Sequence, residues 1–241
     1  MKFLINEPAL LVEKTLVIAD IHLGVEYEYY KSGINIPSQT SAMLKKIKKL
    51  IDKNKAERLI VIGDIKHKVP GTTFQEEREI PSFFETLSEI VLVEIIPGNH
   101  DGGLSKILPN IKIHPSSGYL FNNVYLTHGH TWPKPDFLNA KYLVISHNHP
   151  LIEFKDEFGY RWLEKIWIRS ELKPNLIGKK YNNFKKLPEL IVMPAFSDMV
   201  GGFAMNRHER EPLGPVLKCA DLEKAKVYLL DGTFLGKLGN L

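Results

Sequence analysis

One pattern constrains this chain more than any other: short apolar runs that each stop at ionisable or metal-ligating residues. Thr15–Ala19 stops at Asp20-Ile21-His22, Arg58–Ile62 at Gly63-Asp64, and Val91–Ile96 at Pro97-Gly98-Asn99-His100-Asp101. Val124–Thr127 stops at His128-Gly129-His130, and Tyr142–Ile145 at Ser146-His147-Asn148-His149. Short, nearly continuous aliphatic runs read as strands covered on both faces. Loops at the carboxyl ends of such strands gather at one end of an α/β sheet, so separated segments can converge on one site.

The remaining elements fit that frame. Ala9–Val12 pairs beside the first run. Pro37–Lys53 reads as a helix, with Leu44, Ile47 and Ile51 on one face and Lys45, Lys46, Lys48 and Lys49 mostly opposite, as a solvated face. A second helix is expected over Ile80–Glu89. After Pro150, Leu151–Phe154 and Tyr160–Ile168 form a hairpin around Glu157-Phe158-Gly159, and residues 170–189 read as a polar surface loop. Leu190–Met193 resumes as a strand, and Val227–Leu230 with Thr233–Leu235 makes a terminal hairpin. The expected class is α/β (α+β), one domain over residues 1–241.

Composition narrows the function. A formal net charge of +4 over 241 residues is compatible with a phosphate-bearing partner. The single cysteine, Cys219, excludes an intrachain disulfide and a Cys-based zinc cage, and it suits a reducing compartment. The first residues lack a signal-peptide pattern, and no apolar run approaches the roughly 18–20 residues that span a bilayer. The expectation is a cytoplasmic protein with no membrane partner.

The motifs carry the chemistry. In an extended segment, D-x-H presents a carboxylate and an imidazole on one side, able to grip one ion. In Gly63-Asp64, glycine lets the backbone turn and Asp64 can bridge two cations. Gly98-Asn99-His100-Asp101 is far more specific, arising by chance in well under about one chain in a thousand. Asn99 offers a neutral oxygen ligand, His100 sits beside the metals without binding them, and Asp101 is placed to hold or polarise that imidazole. The two H-x-H motifs add further imidazoles. Such donors suit Mn, Fe, Co, Ni or Zn, and nothing fits the H-E-x-x-H of metalloproteases.

In order, D-x-H, G-D-x-x-H, G-N-H-D, H-G-H and H-x-H resemble the calcineurin-like metallophosphoesterase family over roughly residues 15–150. The resemblance implies a two-sheet β-sandwich flanked by helices, with a dinuclear metal site at the strand ends. It implies Asp20, His22 and His149 on one ion, Asp64 bridging, and Asn99, His128 and His147 on the second, with Mn2+ the first candidate. His100 would serve the leaving group, steadied by Asp101, and Asn99, His100 and His67 would meet the substrate. His130 is set outside the direct ligands. Ser146 stands where the family has glycine. His67 replaces the G-D-x-V-D-R-G ending of the Ser/Thr protein phosphatases, and the glutamate of their G-N-H-E is missing, which disfavours that role. His67 instead matches the G-D-x-x-H form of SbcD-type nucleases. Met193-Pro194-Ala195-Phe196-Ser197 with Gly201-Gly202-Phe203 resembles the SbcD-related archaeal phosphoesterases and the PdeM-like subgroup, although Gly201-Gly202 reads equally as a phosphate approach or a turn.

The implied reaction is hydrolysis of phosphodiesters in DNA, RNA or nucleotides by a metal-activated hydroxide. A small-molecule phosphatase or cyclic-nucleotide phosphodiesterase is the alternative enzyme reading, and a catalytically silent binding scaffold is the non-enzyme one. Lys179-Lys180 and Lys185-Lys186, with Tyr181 and Phe184 between them, form either a basic and aromatic nucleic-acid strip or, as favoured, a solvated loop.

Overall fold

Strands buried on both faces must send alternate residues to different layers, and that alternation organises the molecule. The computed structural model describes residues 1–207 and 211–241. Its first sheet takes six strands in chain order: β1 (Lys2–Phe3), β2 (Ala9–Val12), β3 (Thr15–Ala19), β4 (Arg58–Ile62), β5 (Leu92–Ile96) and β6 (Lys112–Ile113). The strands β3 to β6 run parallel, with Ile18 opposite Val61 and Val61 opposite Ile95.

The second sheet contains β7 (Tyr119–Phe121), β8 (Val124–Leu126), β9 (Tyr142–Ile145), β10 (Pro150–Lys155), β11 (Arg161–Ser170), β12 (Glu189–Val192), β13 (Phe203–Ala204), β14 (Lys226–Leu229) and β15 (Phe234–Lys237). Its main order is β13-β10-β11-β12-β9-β8-β7, with β14 joining β11 to β15. Here β9 lies parallel to both β8 and β12. The five strands read as feeding a site are all present.

In sheet one, Leu16, Ile18, Leu59, Val61 and Ile95 pack on one face against helix residues Ile47, Leu50, Phe83 and Phe84. The alternate residues Val17, Ala19, Ile60, Ile62 and Ile96 face Val124, Leu126, Val144, Ile191 and Met193 of sheet two. Each buried Val, Leu, Ile or Met contributes roughly 1.5–3 kcal/mol, so the sheet-to-sheet core anchors the ends from which the motif loops emerge. The far face of sheet two packs Leu143, Ile145, Leu190 and Val192 against Phe137, Ile177, Tyr181 and Leu217. The two long helices therefore lie on sheet one, and short turns cover sheet two.

Helix α1 (Glu26–Lys31) follows the D-x-H turn and was not foreseen; it is too short to show periodicity. Helix α2 (Thr40–Asn54) buries Ile47, Leu50 and Ile51 and ends at Lys55 in the left-handed region. Helix α3 spans Phe74–Ser88, six residues earlier than its expected start. Its true signal is a capping box, Thr73-x-x-Glu76. Pro81, which resembles a first-turn proline, lies in the interior; the Glu77 carbonyl that loses its donor belongs to an exposed residue. Short helices α4 (Leu104–Ile107) and α5 (Pro174–Ile177) complete the set.

The 170–189 reading needs correction. Within it lies α5, and Ile177 and Tyr181 are buried in the sheet-two core. The Tyr181 hydroxyl donates to the Pro133 carbonyl at 2.5 Å, so its ring is not free to stack on a base. Among the described residues, no helix is long and apolar enough to cross a membrane.

Candidate metal centre

The chain leaves its strands by an unusual route. Asp20 (φ 52°), His22 (φ 45°), His147 (φ 66°) and His149 (φ 41°) all adopt left-handed backbone. The extended D-x-H and H-x-H geometry expected from sequence is therefore not what gathers these side chains. Non-glycine residues in such conformations cost of order 1–3 kcal/mol each and persist only where neighbours hold them. Here the Asp20 amide donates to the Ile62 carbonyl (2.9 Å) and the His22 amide to the Asp64 carbonyl (3.0 Å). From the other sheet, Phe196 donates to the Ala19 carbonyl (2.7 Å) and Ser197 to that of Asp20 (3.3 Å). The His147 amide reaches Asp20 Oδ2 at 3.2 Å.

These turns bring six predicted residues into two groups. Asp20, His22 and His149 can each offer a ligand atom to one point, as can Asp64, His128 and His147. Asp20 Oδ1 lies 3.2 Å from His128 Nε2 and Oδ2 lies 3.4 Å from His149 Nε2. Asp64 Oδ2 stands 3.8 Å from His22 Nε2 and 3.7 Å from His128 Nε2, between the groups. Gly63, at φ 79°, makes that approach possible: a Cβ there would fall 2.3 Å from Asp20 Oδ1 and 2.3 Å from His128 Cδ2.

The donor set fits cations. Asp20 Oδ1 and His128 Nε2 are buried without a hydrogen-bond partner, which is costly unless something else satisfies them. Burial alone would raise the Asp20 carboxyl, but His149 and His128 beside it hold it well below the usual range. Burial holds His22 far below its ordinary value, and burial with His128 nearby lowers His147 to about 3. Neutral His22 and His147 facing carboxylates are what a divalent metal requires; burial would lower His128 as well, but Asp20 and Asp64 beside it raise it.

The outer ring nitrogens are also engaged. His149 Nδ1 lies 2.9 Å from the Gly201 carbonyl, His128 Nδ1 lies 2.8 Å from His130 Nδ1, and His22 Nδ1 lies 3.2 Å from His67 Nδ1. Burial, and then the neighbouring His128, lowers His130 to about 4, and burial lowers His67, so both can accept as neutral rings. A proton on each of the three Nδ1 atoms leaves Nε2 free to face the centre.

His100 stands at the side, its Nε2 3.6 Å from Asp64 Oδ2. Its Nδ1 points to the His67 carbonyl at 2.6 Å, and its amide donates to Asp64 Oδ1 at 2.9 Å. Asp101 is a correction. Its carboxylate does not hold the His100 ring; Oδ1 accepts from the Ile65 and Lys66 amides (2.9 and 3.2 Å) and Oδ2 from Gly98 (2.8 Å). Asp101 thus ties the loop after β4 to the loop after β5. Burial pushes its carboxyl up to about 7, against the pull of those amides. Asn99 is exposed between Gly98 and His100. Ser146, in the family's glycine position, is fully buried.

The calcineurin-like phosphoesterase family model matches residues 13–194. The chain belongs to that family. No curated protein matches it. Among solved structures, a nuclease, MPE from Pseudomonas putida, shares 19% identity over 90% of this chain and 85% of its own, with a TM-score of 0.53. YfcE, a phosphoesterase from E. coli, shares 13% identity over 92% and 97%, with a TM-score of 0.42. The first likeness concerns the fold.

Within this member of the family, several supports escaped sequence reasoning. Gly202 packs on the H-x-H turn: a Cβ there would fall 2.1 Å from the His149 carbonyl, to which Phe203 donates at 3.1 Å, whereas a Cβ at Gly201 would meet open space. Asn148 accepts from the Leu213 amide (2.8 Å) and donates to its carbonyl (3.2 Å), fixing a distant loop beside the H-x-H turn. Main-chain acceptors and long-range amide pairs leave no motif. The one legible signal was the capping box at Thr73-x-x-Glu76.

Proposed function

We propose that this chain is a phosphodiesterase acting on nucleic acids or nucleotides with two divalent ions, Mn2+ first among them. The observation that carries this reading is the position of His100 Nε2, 3.6 Å from the Asp64 oxygen that both ligand groups approach. Asp20, His22 and His149 would hold one ion; Asn99, His128 and His147 the second; Asp64 both. The ions, when bound, supply a hydroxide nucleophile near neutral pH and neutralise phosphoryl oxygens. His100 Nε2 then faces the departing oxygen and gives it a proton, while the His67 carbonyl fixes the ring. His67, its ring 5.8 Å from that of His100 centre to centre, would be the contact for a phosphate oxygen.

Three points favour a diester. Lys66 turns its Nζ away to the Lys68 and Gly71 carbonyls (2.6 and 2.7 Å), so it does not meet the second charge of a monoester. His67 stands where the protein phosphatases continue toward an arginine. The neighbour from Pseudomonas putida is described as a nuclease.

The test is Mn2+-titrated turnover of bis-p-nitrophenyl phosphate against p-nitrophenyl phosphate, single-stranded DNA, RNA and cyclic nucleotides. Metal-stimulated cleavage of the diester and of at least one nucleic acid is expected. Preference for the monoester would replace the reading with a phosphatase, and no turnover on any substrate would leave only the scaffold.

A further inference from the structure

Between β4 and α3 the chain folds over two charged side chains that are almost wholly buried, Glu76 at 0% exposure and Lys66 at 1%. Both are spent on main chain. Lys66 Nζ donates to the Lys68 and Gly71 carbonyls, closing the loop on itself. Glu76 Oε2 accepts from the Thr73 amide (2.6 Å) and hydroxyl (2.9 Å), which is all that a helix cap requires. Its other oxygen does something a cap does not. Glu76 Oε1 accepts from the amides of His67 and Lys68, both at 2.8 Å.

The Lys68 N–H and the His67 C=O belong to one peptide unit. That unit is planar, with the two bonds pointing in opposite directions. Holding the Lys68 N–H on Glu76 therefore aims the His67 carbonyl the other way, where it meets His100 Nδ1 at 2.6 Å. A rotation of this peptide plane would break both contacts at once.

We infer that Glu76 is a positioning residue for His100, acting through the His67–Lys68 peptide plane. The inference rests on the reading of His100 as the acid that serves the leaving group. A buried carboxylate on the first turn of a helix thus sets the aim of an imidazole it never touches.

The experiment compares Glu76→Ala, Glu76→Gln, His100→Ala and the double variant Glu76→Ala/His100→Ala in Mn2+-loaded enzyme. Glu79→Ala is the control, because Glu79 ties the same helix to Ser38 and Thr40 at 2.7 and 2.6 Å. Substrates are bis-p-nitrophenyl phosphate, with a good leaving group, and a thymidine dinucleotide, with an unactivated one. Glu76→Ala should lower kcat on the dinucleotide by about 10–100-fold, the scale of a misaimed group. It should lower kcat on the nitrophenyl ester only a few-fold. On the His100→Ala background it should cost nothing more. Glu76→Gln, which keeps a carbonyl acceptor, should recover to within a few-fold.

Equal losses on both esters, additivity with His100→Ala, or the same response from Glu79→Ala would overturn the positioning role. Should Glu76→Ala not fold, Glu76→Gln carries the same comparison: a small, leaving-group-selective loss that vanishes without His100 supports the role, and an additive one overturns it. His100→Ala alone tests the underlying reading. If it slows both esters equally, the acid assignment fails; if it is selective and Glu76→Ala is not, only the positioning role fails.

Discussion

Sheet one sends both carboxylates to the centre, Asp20 and Asp64, with a single imidazole of the ligand groups, His22. Sheet two sends imidazoles only, His128, His147 and His149. The supports differ in the same way. On the sheet-one side the loops are held by buried charged groups, Asp101, Glu76 and Lys66, each gripping backbone. On the sheet-two side, apart from the Asp20 carboxylate at the His147 amide, the holders are neutral: the Gly201 carbonyl, the Asn148 amide and the His130 ring. Neither half is a site alone, because each ligand group takes donors from both sheets. Cations bound there would cross-link the open end of the sandwich.

That comparison can be broken experimentally, beginning with the largest effect. Asp64→Asn removes the negative charge shared by both groups. Activity should fall by on the order of 10³-fold or more, the upper scale for one lost electrostatic stabiliser, and metal content measured by plasma emission should fall with it. An active, fully metallated variant would refute the bridging role. His100→Ala should retain metal yet lose on the order of 10²-fold with an unactivated diester, read as kcat in the same assay.

Next come the neutral supports. His130→Ala should weaken metal binding by about 10–100-fold, as the outer partner of a ligating histidine does, and Asn148→Ala, which releases the Leu213 loop rather than a ligand ring, by less. Titration calorimetry giving wild-type affinity for both would mean that the sheet-two ligands need no such support. If the ions do link the sheets, metal at 100 times Kd adds about 2.7 kcal/mol per site. At about 2–4 °C per kcal/mol for a chain of this size, chelation should lower Tm by about 5–10 °C per ion. A calorimetric Tm indifferent to chelator would argue that the sandwich end is closed without metal.

The smallest effect is electrostatic and lies away from the centre. Glu94 in β5 is buried; that alone would raise its carboxyl, but His114 (2.6 Å), Lys112 and Arg58 outweigh burial and lower it. A carboxyl depressed in the folded state contributes stability above its unfolded value, near pH 4.5, and that contribution is lost as pH falls through the folded value. Glu94→Gln should therefore cost about 1 kcal/mol at pH 7 and flatten the acid limb of the stability curve while leaving kcat intact. Urea unfolding at pH 7 and pH 4 checks both halves.

The strands were legible in the sequence because burial on two faces writes a continuous apolar run, and Thr15–Ala19, Arg58–Ile62 and Tyr142–Ile145 begin and end where expected. Helix α3 was half legible: its C-terminal half was read from residue 80 onward, while the capping box at Thr73-x-x-Glu76 that starts it was not used. The ligand candidates were legible as residue types in order, but Asp101 was placed on the wrong partner. An aspartate next to a histidine in sequence suggests a pair, and only the fold shows its oxygens turned to three amides of two loops.

By itself, then, the sequence determined which residues could bind metal and that they end strands, since side-chain chemistry and local burial are written residue by residue. The tertiary structure decided how they meet. Left-handed turns replace the expected extended geometry, the Gly201 carbonyl and His130 select which nitrogen faces the centre, and Glu76 aims His100 through a peptide plane. These pair a side chain with a backbone group or ring far away in sequence, so only positions in the folded chain can specify them.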